Sequence, residues 1–329
     1  MILLSFSYFL CIQIATTLSA VAINNDFEQT CDNPLTCFAQ PPEDAKYASK
    51  GGYFPSNHFL PVPVLSIRSE THDSKIITFG LPLDKSLGHT ISSAIVMQVP
   101  PTESIPKAVM RPYNPISSPN QKGSFELLIK LYLPDGISSQ YVANLQVGDL
   151  VSFKQTKPNI KKFQVPFEGV KKITMLAGGT GIAPMVQALP SILEQGDAQV
   201  ILLYGNKTPK DIMLKKELDS LTEQYGEKEG QPAQFVLHYI VGEAQTDNHT
   251  ERVTNDDGSS TYYESGWIDE DKIKRLAFLP ENENSISTVA WICGVDDMYK
   301  TLAGSRMKAI SEGSALHNLG YSDNNVWRS

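Results

Sequence analysis

The stretch KKITMLAGGTGIAPMVQALPSILEQ, Lys171 to Gln195, decides how this chain folds. Its first seven residues read as a buried strand, and Gly178-Gly179-Thr180-Gly181 reads as a tight turn. From Ala183 onward the apolar residues recur at helical spacing, with Pro184 in a first turn where a missing N–H costs nothing. Glycines at such a junction let backbone N–H groups approach a phosphate, and the helix N-terminus adds positive dipole. The spacing departs from G-x-G-x-x-G, because its last position is Pro184. By itself the turn reads equally as a plain strand-to-helix connection.

Downstream the same rhythm continues. AQVILLYG (198–205) precedes the helical DIMLKKELDSLTEQYG (211–226), AQFVLHYIV (233–241) follows, and STVAWICG (287–294) precedes DDMYKTLAGS (296–305). Strands alternating with helices predict a doubly wound parallel sheet. Ligands of such sheets bind at the carboxyl ends of the strands, so the turn at Cys293-Gly294 shares a crevice with the turn at Gly178–Gly181. Cys293 reads either as a small buried hydrophobe or as a residue bordering a ligand. The polar stretch 242–266 is expected to be a mobile surface loop.

Upstream the pattern is different. PVPVLSIRSE (61–70), KIITFGLPL (75–83), SSAIVMQVP (92–100), SFELLIKLYL (124–133) and GDLVSFK (148–154) are short, β-branched and separated by turn residues. They predict an antiparallel barrel or sandwich. The expected architecture is therefore β plus α/β: a β-barrel at 59–165 and a doubly wound parallel-sheet domain at 166–329, behind a linker at 23–58. Between the predicted strands lies MRPYNPIS, Met110 to Ser117. Its prolines restrict the backbones of Arg111 and Tyr113 and preset both side chains.

Met1 to Ala22 is apolar, lacks charged side chains and ends in Ala20-Val21-Ala22. It reads as a cleaved signal peptide or, being about 20 residues long, as an uncleaved membrane anchor. Cys31 and Cys37 read either as a small disulfide loop or as unpaired thiols. The four cysteines do not make a metal site, because no C-x-x-C or nearby histidine pair accompanies them. A net charge of −8 argues against a nucleic-acid partner.

RPYNPIS, GISSQY, GGTGIAPM and CG…MY stand in this order, with a strand-rich half before and an α/β half after. Together they resemble the ferredoxin-reductase superfamily, and most closely the NADH–cytochrome b5 reductases, over roughly Phe59 to Trp327. The resemblance implies an FAD-binding β-barrel, an NAD-binding α/β domain and an NADH-dependent flavoprotein oxidoreductase. It assigns Arg111 to a flavin phosphate, which suits a guanidinium fork, and lays Tyr113 along the isoalloxazine. Where the family has a hydroxyl near flavin N5, this chain has Asn114, which leaves flavin binding in place and the hydride-transfer rate open.

The family's second flavin motif matches Gly136-Ile137-Ser138-Ser139, whose amides and Ser139 hydroxyl would hold the diphosphate. Leu128 to Leu133 matches the strand beside the flavin. Lys130 on it, which taken bare is a solvated strand lysine, matches a lysine that serves flavin and nicotinamide nucleotide. Thr180 would reach the flavin, while Gly179, Gly181, Pro184, Cys293, Gly294 and Met298 would line the NADH site. Asp211 would disfavour the 2′-phosphate of NADPH, although Lys207 and Lys210 stand nearby. Catalytic roles fall by this resemblance to Asn114, Lys130 and Cys293. Val295-Asp296-Asp297 replaces the family's Pro-Pro-x: the carboxylates either repel the dinucleotide or serve the dipole of a helix and point away. Trp327 stands near the place of the family's terminal aromatic.

The resemblance also implies hydride transfer from nicotinamide C4 to flavin N5, then single electrons to an acceptor such as cytochrome b5. FKQTKPNIKK (153–162) with Lys171-Lys172 reads either as a landing face for an acidic haem protein or as a solvated loop. A quinone or another haem protein is a further acceptor. The contrasting reading is a non-catalytic interaction module, favoured by Asn114 together with Val295-Asp296-Asp297. A monomer is expected, at the endoplasmic reticulum membrane or in the secretory pathway. Asn206-Lys207-Thr208 and Asn248-His249-Thr250 would be glycosylation sequons in a lumenal body. A glycan on Asn206 would obstruct the dinucleotide, which favours either a body facing the cytosol behind an uncleaved anchor or a sequon left unused in a folded turn.

Overall fold

The computed structural model describes residues 52–103, 105–156, 167–242, 251–254 and 260–329. Outside them lie the leader, Cys11, Cys31, Cys37, the Asn248 sequon and most of the 153–162 lysine segment.

The first half forms a six-stranded antiparallel sheet of β1 (Leu60–Thr71), β2 (Ser74–Gly80), β3 (Ile95–Val99), β4 (Val109–Tyr113), β5 (Ser124–Lys130) and β6 (Leu150–Gln155). The strand order is β4-β3-β6-β1-β2-β5. Its edges meet at an isolated bridge between Pro115, just beyond β4, and Leu127 on β5. Phe54, Phe79, Phe125 and Phe153 fill the interior, with Phe79 and Phe153 centroids 4.8 Å apart, edge to face. Burial of such rings is the main stabilising term of this half.

Two elements here escape the sequence reading. The start of the MRPYNPIS motif, Met110 to Tyr113, lies in strand β4, and Pro112 is tolerated because β4 is an edge that needs no second ladder bond. The Gly136–Ser139 turn runs into helix α1 (Ile137–Ala143), which packs beside β4.

The second half holds β7 (Lys172–Gly178), β8 (Gln199–Asn206), β9 (Phe235–Val241), β10 (Glu251–Thr254), β11 (Ser260–Ser265), β12 (Thr288–Cys293) and β13 (Val326–Arg328). They are ordered β10-β11-β9-β8-β7-β12-β13, parallel throughout except for the β10–β11 hairpin. Ile173 to Ala177 and all of β12 are buried, as strands covered on both faces must be. Helix α2 (Ala183–Gln195) matches its predicted span and ends at Gly196, whose φ of 76° is left-handed. The remaining helices are α3 (Lys215–Tyr225), α4 (Glu270–Leu276), α5 (Asp296–Leu302) and α6 (Ala315–Asn318).

Two expectations need correction. Helix α3 begins at Lys215 rather than Asp211, because Asp211 accepts bonds from Thr208 N and Oγ1 and closes a separate turn. Leu214 then takes a left-handed φ of 56° before the helix starts. The stretch 242–266 carries β10 and β11 rather than being loop throughout. Tyr263 stacks on Tyr239 at 5.3 Å and Tyr262 on His238 at 4.9 Å, which gives β11 packing on both faces. Trp327 on β13 is buried, stacked on Trp291 at 4.5 Å and edge-on to Phe167.

His238 carries a consequence for stability. It is buried, and burial pulls its pKa from 6.5 to about 4, with Glu264 opposing and Arg275 adding to the effect. An unfolded chain takes up a proton near pH 6.5 that the folded chain refuses until about pH 4. The stability from neutral His238 is thus complete above pH 6.5 and is lost as pH falls toward 4, on the order of 3 kcal/mol. Thermal midpoints at pH 7 and 4.5 are expected to differ less in His238→Phe than in the parent. Equal differences would refute this account.

Candidate functional site

The motifs of the two halves converge at the carboxyl edge of the parallel sheet. A 3₁₀ turn, Gly179–Ile182, joins β7 to α2 and lies against β5, β8 and β12. Gly179 holds φ 52°, and a Cβ there would meet nothing within 4 Å. Its carbonyl accepts the buried Tyr204 hydroxyl at 3.1 Å. Gly181 is the opposite case, since a Cβ would lie 2.0 Å from the Cys293 carbonyl oxygen. The two glycine turns are therefore in backbone contact. Met298 Sδ covers both Gly178 and Gly294, where an added Cβ would sit 2.8 and 2.6 Å from the sulfur. Cys293 is a buried thiol at the end of β12.

On the antiparallel sheet Arg111 and Tyr113 stand two residues apart on β4, hence on one face. Arg111 is exposed, with Nη1 donating to Met110 O at 2.9 Å. Tyr113 is half-buried against the sheet's interior, and burial raises its hydroxyl to about pKa 12, with Arg111 opposing. It therefore stays a neutral phenol across physiological pH. Beside β4, the hydroxyl of Ser139 accepts Tyr132 N–H at 2.9 Å and keeps its own proton to donate. Ser138 Oγ is buried without a hydrogen-bond partner. A buried orphan hydroxyl is costly unless something completes it. Ile137 packs on the interior, and Leu133 is 55% exposed.

Lys130 and Asp211 meet across the interface. Lys130 Nζ lies 2.8 Å from Asp73 and 2.9 Å from Asp211. Burial would raise the Asp211 carboxyl, but Thr208 and Lys130 outweigh it and hold it below the usual carboxylate range. Burial would lower Lys130, yet its two carboxylate partners raise it, so both groups stay charged. Leu128 does not line an open surface: with Ile76 it enters the apolar core of the α/β half.

Asn114 Nδ2 donates to Ser92 O at 2.9 Å, and Ser92 Oγ donates to Pro184 O at 2.5 Å. Thr180 is half-buried at the turn. Asp296 and Asp297 occupy the first turn of α5, with Asp297 paired to Lys300 at 2.8 Å on the exposed side. Both carboxylates thus stand where a helix N-terminus favours negative charge.

Ser92, Gln187, Asp73 and Trp267 belong to this region and were not singled out from sequence. Trp267 lies against Gly242, with its ring 62% exposed beside the carboxyl end of β9. An exposed tryptophan after a glycine is the one local signal among them. The others are joined by contacts far apart in sequence.

Comparison with known proteins places these features in company. Residues 61–161 match the oxidoreductase FAD-binding domain model, and residues 175–303 match the oxidoreductase NAD-binding domain model. The NADH-cytochrome b5 reductase 2 of Yarrowia lipolytica is 32% identical over 292 residues, covering 87% of this chain and 89% of the relative. That of Saccharomyces cerevisiae is 35% identical over 277 residues, 82% of each. In fold, the cytochrome b5 reductase domain of Ulva prolifera nitrate reductase superposes with a TM-score of 0.67 at 24% identity, over 85% of this chain and all of that one.

Proposed function

The chain belongs to the NADH–cytochrome b5 reductase family, and from that membership we infer an NADH-dependent FAD reductase that hands electrons to a one-electron acceptor such as cytochrome b5. The observation that carries this reading is the convergence of both halves on one crevice. The Arg111–Tyr113 strand and the Gly178–Gly181 turn are linked through Asn114, Ser92 and Pro184, with Lys130 and Asp211 beside them.

The residues present fit FAD. Arg111 presents an exposed guanidinium, Ser138 an orphan buried hydroxyl and Ser139 a donor proton, all within or beside the β4–α1 contact. These would hold the diphosphate, with Tyr113 supplying flat apolar area. Gly179, Gly181, Gly294 and Met298 would shape the dinucleotide side. When bound, flavin accepts a hydride from NADH and releases single electrons, which is the cofactors' own chemistry. The chain's part is to fix the two sites, keep Lys130 charged at their junction and exclude water.

Asp211 is spoken for by Thr208 and Lys130, so its preference for NADH over NADPH would act through its field and not through direct contact. The family membership disfavours the non-catalytic alternative, and the pairing of Asp297 with Lys300 offsets one of the two carboxylates on which it leaned.

The body is proposed to face the cytosol behind an uncleaved N-terminal anchor. Asn206 supports this. It is 3% exposed at the end of β8, paired with Val241 of β9, so a glycan on it is incompatible with the fold.

The decisive experiment is the visible spectrum of the purified protein before and after anaerobic NADH. A flavin band that bleaches within seconds is expected. Folded protein that binds no flavin when offered FAD, or a bound flavin that NADH leaves unchanged, would sink the enzyme reading.

A further inference from the structure

Ser92 is a bonded hub at the junction of the two halves. It is fully buried and holds a left-handed φ of 62°, a conformation that costs a residue with a Cβ about 1–2 kcal/mol. Its N–H, its hydroxyl and its carbonyl are all engaged. Its N–H donates to Gln187 Oε1 at 2.6 Å, its hydroxyl donates to Pro184 O at 2.5 Å, and its carbonyl accepts Asn114 Nδ2 at 2.9 Å. Gln187, also buried, donates from Nε2 to Ser117 O at 2.6 Å. Ser117 Oγ in turn accepts Glu126 N–H on β5.

The hub therefore touches both sides of the crevice. Asn114 follows Tyr113 directly, and Ser117 ends the same motif. Pro184 and Gln187 lie in the first two turns of α2, which the glycine turn enters. The Asn114 amide has one orientation here, because a carbonyl can only accept and so must face Nδ2. Gln187 is fixed likewise, its oxygen toward an N–H and its nitrogen toward a carbonyl.

We propose that Ser92 and Gln187 are positioning residues that set the span between the Arg111–Asn114 strand and the dinucleotide turn; this rests on the reductase reading above. The halves are also joined elsewhere, by Lys130 with Asp211, by Leu214 N–H with Glu70 at 2.7 Å, and by Ile76 and Leu128 in the shared core. Loss of the hub leaves those contacts in place. What it releases is the relative placement of two sites, and transfer rates fall steeply with misplacement of an ångström.

The test compares the full-length holoenzyme with Gln187→Met, which removes both amide bonds, and Ser92→Gly. Glycine adopts φ 62° without strain and keeps the backbone bonds, so it removes the hydroxyl and with it the link to Pro184. Steady-state NADH oxidation is measured with ferricyanide, along with the perturbation of the flavin band by NAD+ in the absence of turnover. The expected result is a kcat lower by about 30-fold in Gln187→Met and about fivefold in Ser92→Gly, with KM for NADH within about threefold and FAD content unchanged. The NAD+-induced perturbation should shrink in the same order.

A kcat within about twofold of the parent in both variants, or a loss matched by lost FAD, would overturn the proposal. So would a raised KM at unchanged kcat, which marks simple ligand binding. If Gln187→Met does not fold, Ser92→Gly decides by the same criteria. A parent that neither binds flavin nor oxidises NADH would instead remove the reductase reading, and the proposal with it.

Discussion

Arg111→Glu is expected to be purified as a folded, colourless protein. Arg111 lies on the edge strand β4 with its guanidinium exposed, donating from Nη1 to the carbonyl of Met110. The fold asks little of it, so the thermal midpoint of the flavin-free chain should stay within about 2 °C of the parent, as for an ordinary surface substitution. Flavin binding asks much more. An arginine fork on a phosphate contributes charge-assisted bonds of about 1.5–3 kcal/mol each, and glutamate replaces them with repulsion. A loss of about 4 kcal/mol corresponds to roughly a thousandfold weaker FAD binding. Arg111→Lys keeps the charge without the planar fork, and about a tenfold loss is expected there. The measurement is the ratio of visible flavin absorbance to protein absorbance, followed by titration with FAD. Full occupancy in Arg111→Glu would show that the diphosphate is held elsewhere.

How much of this was legible in the sequence differs between the halves. The α/β half announces itself, since buried parallel strands read as apolar runs and α2 carries its own start and stop in Pro184 and Gly196. In the β half, β4 was hidden by the same prolines that made its motif conspicuous. An edge position, which sequence does not reveal, is what permits Pro112. Helix α1 was hidden because two serines read as turn residues. The hairpin β10–β11 was hidden by its polarity, and the Tyr262–Tyr263 pair was its only aromatic cue.

For the site, local motifs gave the residues and not their partners. Gly178–Gly181, Arg111–Asn114 and Gly136–Ser139 each sit within a few residues, so spacing exposes them. The bonds that join them span 22 residues from Asn114 to Ser92, 81 from Lys130 to Asp211 and 95 from Ser92 to Gln187. No local pattern encodes those distances. Asp211 illustrates the difference: its carboxylate was legible as a charge near a nucleotide, while its commitment to Thr208 and Lys130 depends on the folded interface.

Gly179 and Gly181, two residues apart, should respond oppositely to the same substitution. A methyl on Gly181 would lie 2.0 Å from the Cys293 oxygen, 2.4 Å from its carbonyl carbon and 2.8 Å from Gly294 N. These are backbone atoms at the end of β12, held in the parallel ladder with β7 and unable to swing aside as a side-chain tip would. The turn itself must shift, at a cost typical of overpacking, about 1–3 kcal/mol. Flavin content should largely survive, because Arg111, Ser138 and Ser139, which would hold its diphosphate, stand on β4 and α1, and of its proposed contacts only Thr180 lies in this turn. The rate of flavin reduction by NADH in a rapid-mixing experiment should fall by at least about 100-fold, since both glycine turns lose their register. Gly179→Ala meets open space and suffers only the left-handed conformation, about 1–2 kcal/mol. Its rate should fall by less than about tenfold, because the contact between the turns is kept. If Gly181→Ala reduced its flavin at the parental rate, the contact between Gly181 and Cys293 would have no part in holding the dinucleotide, and the crevice would have to be sought away from the junction of β7 and β12.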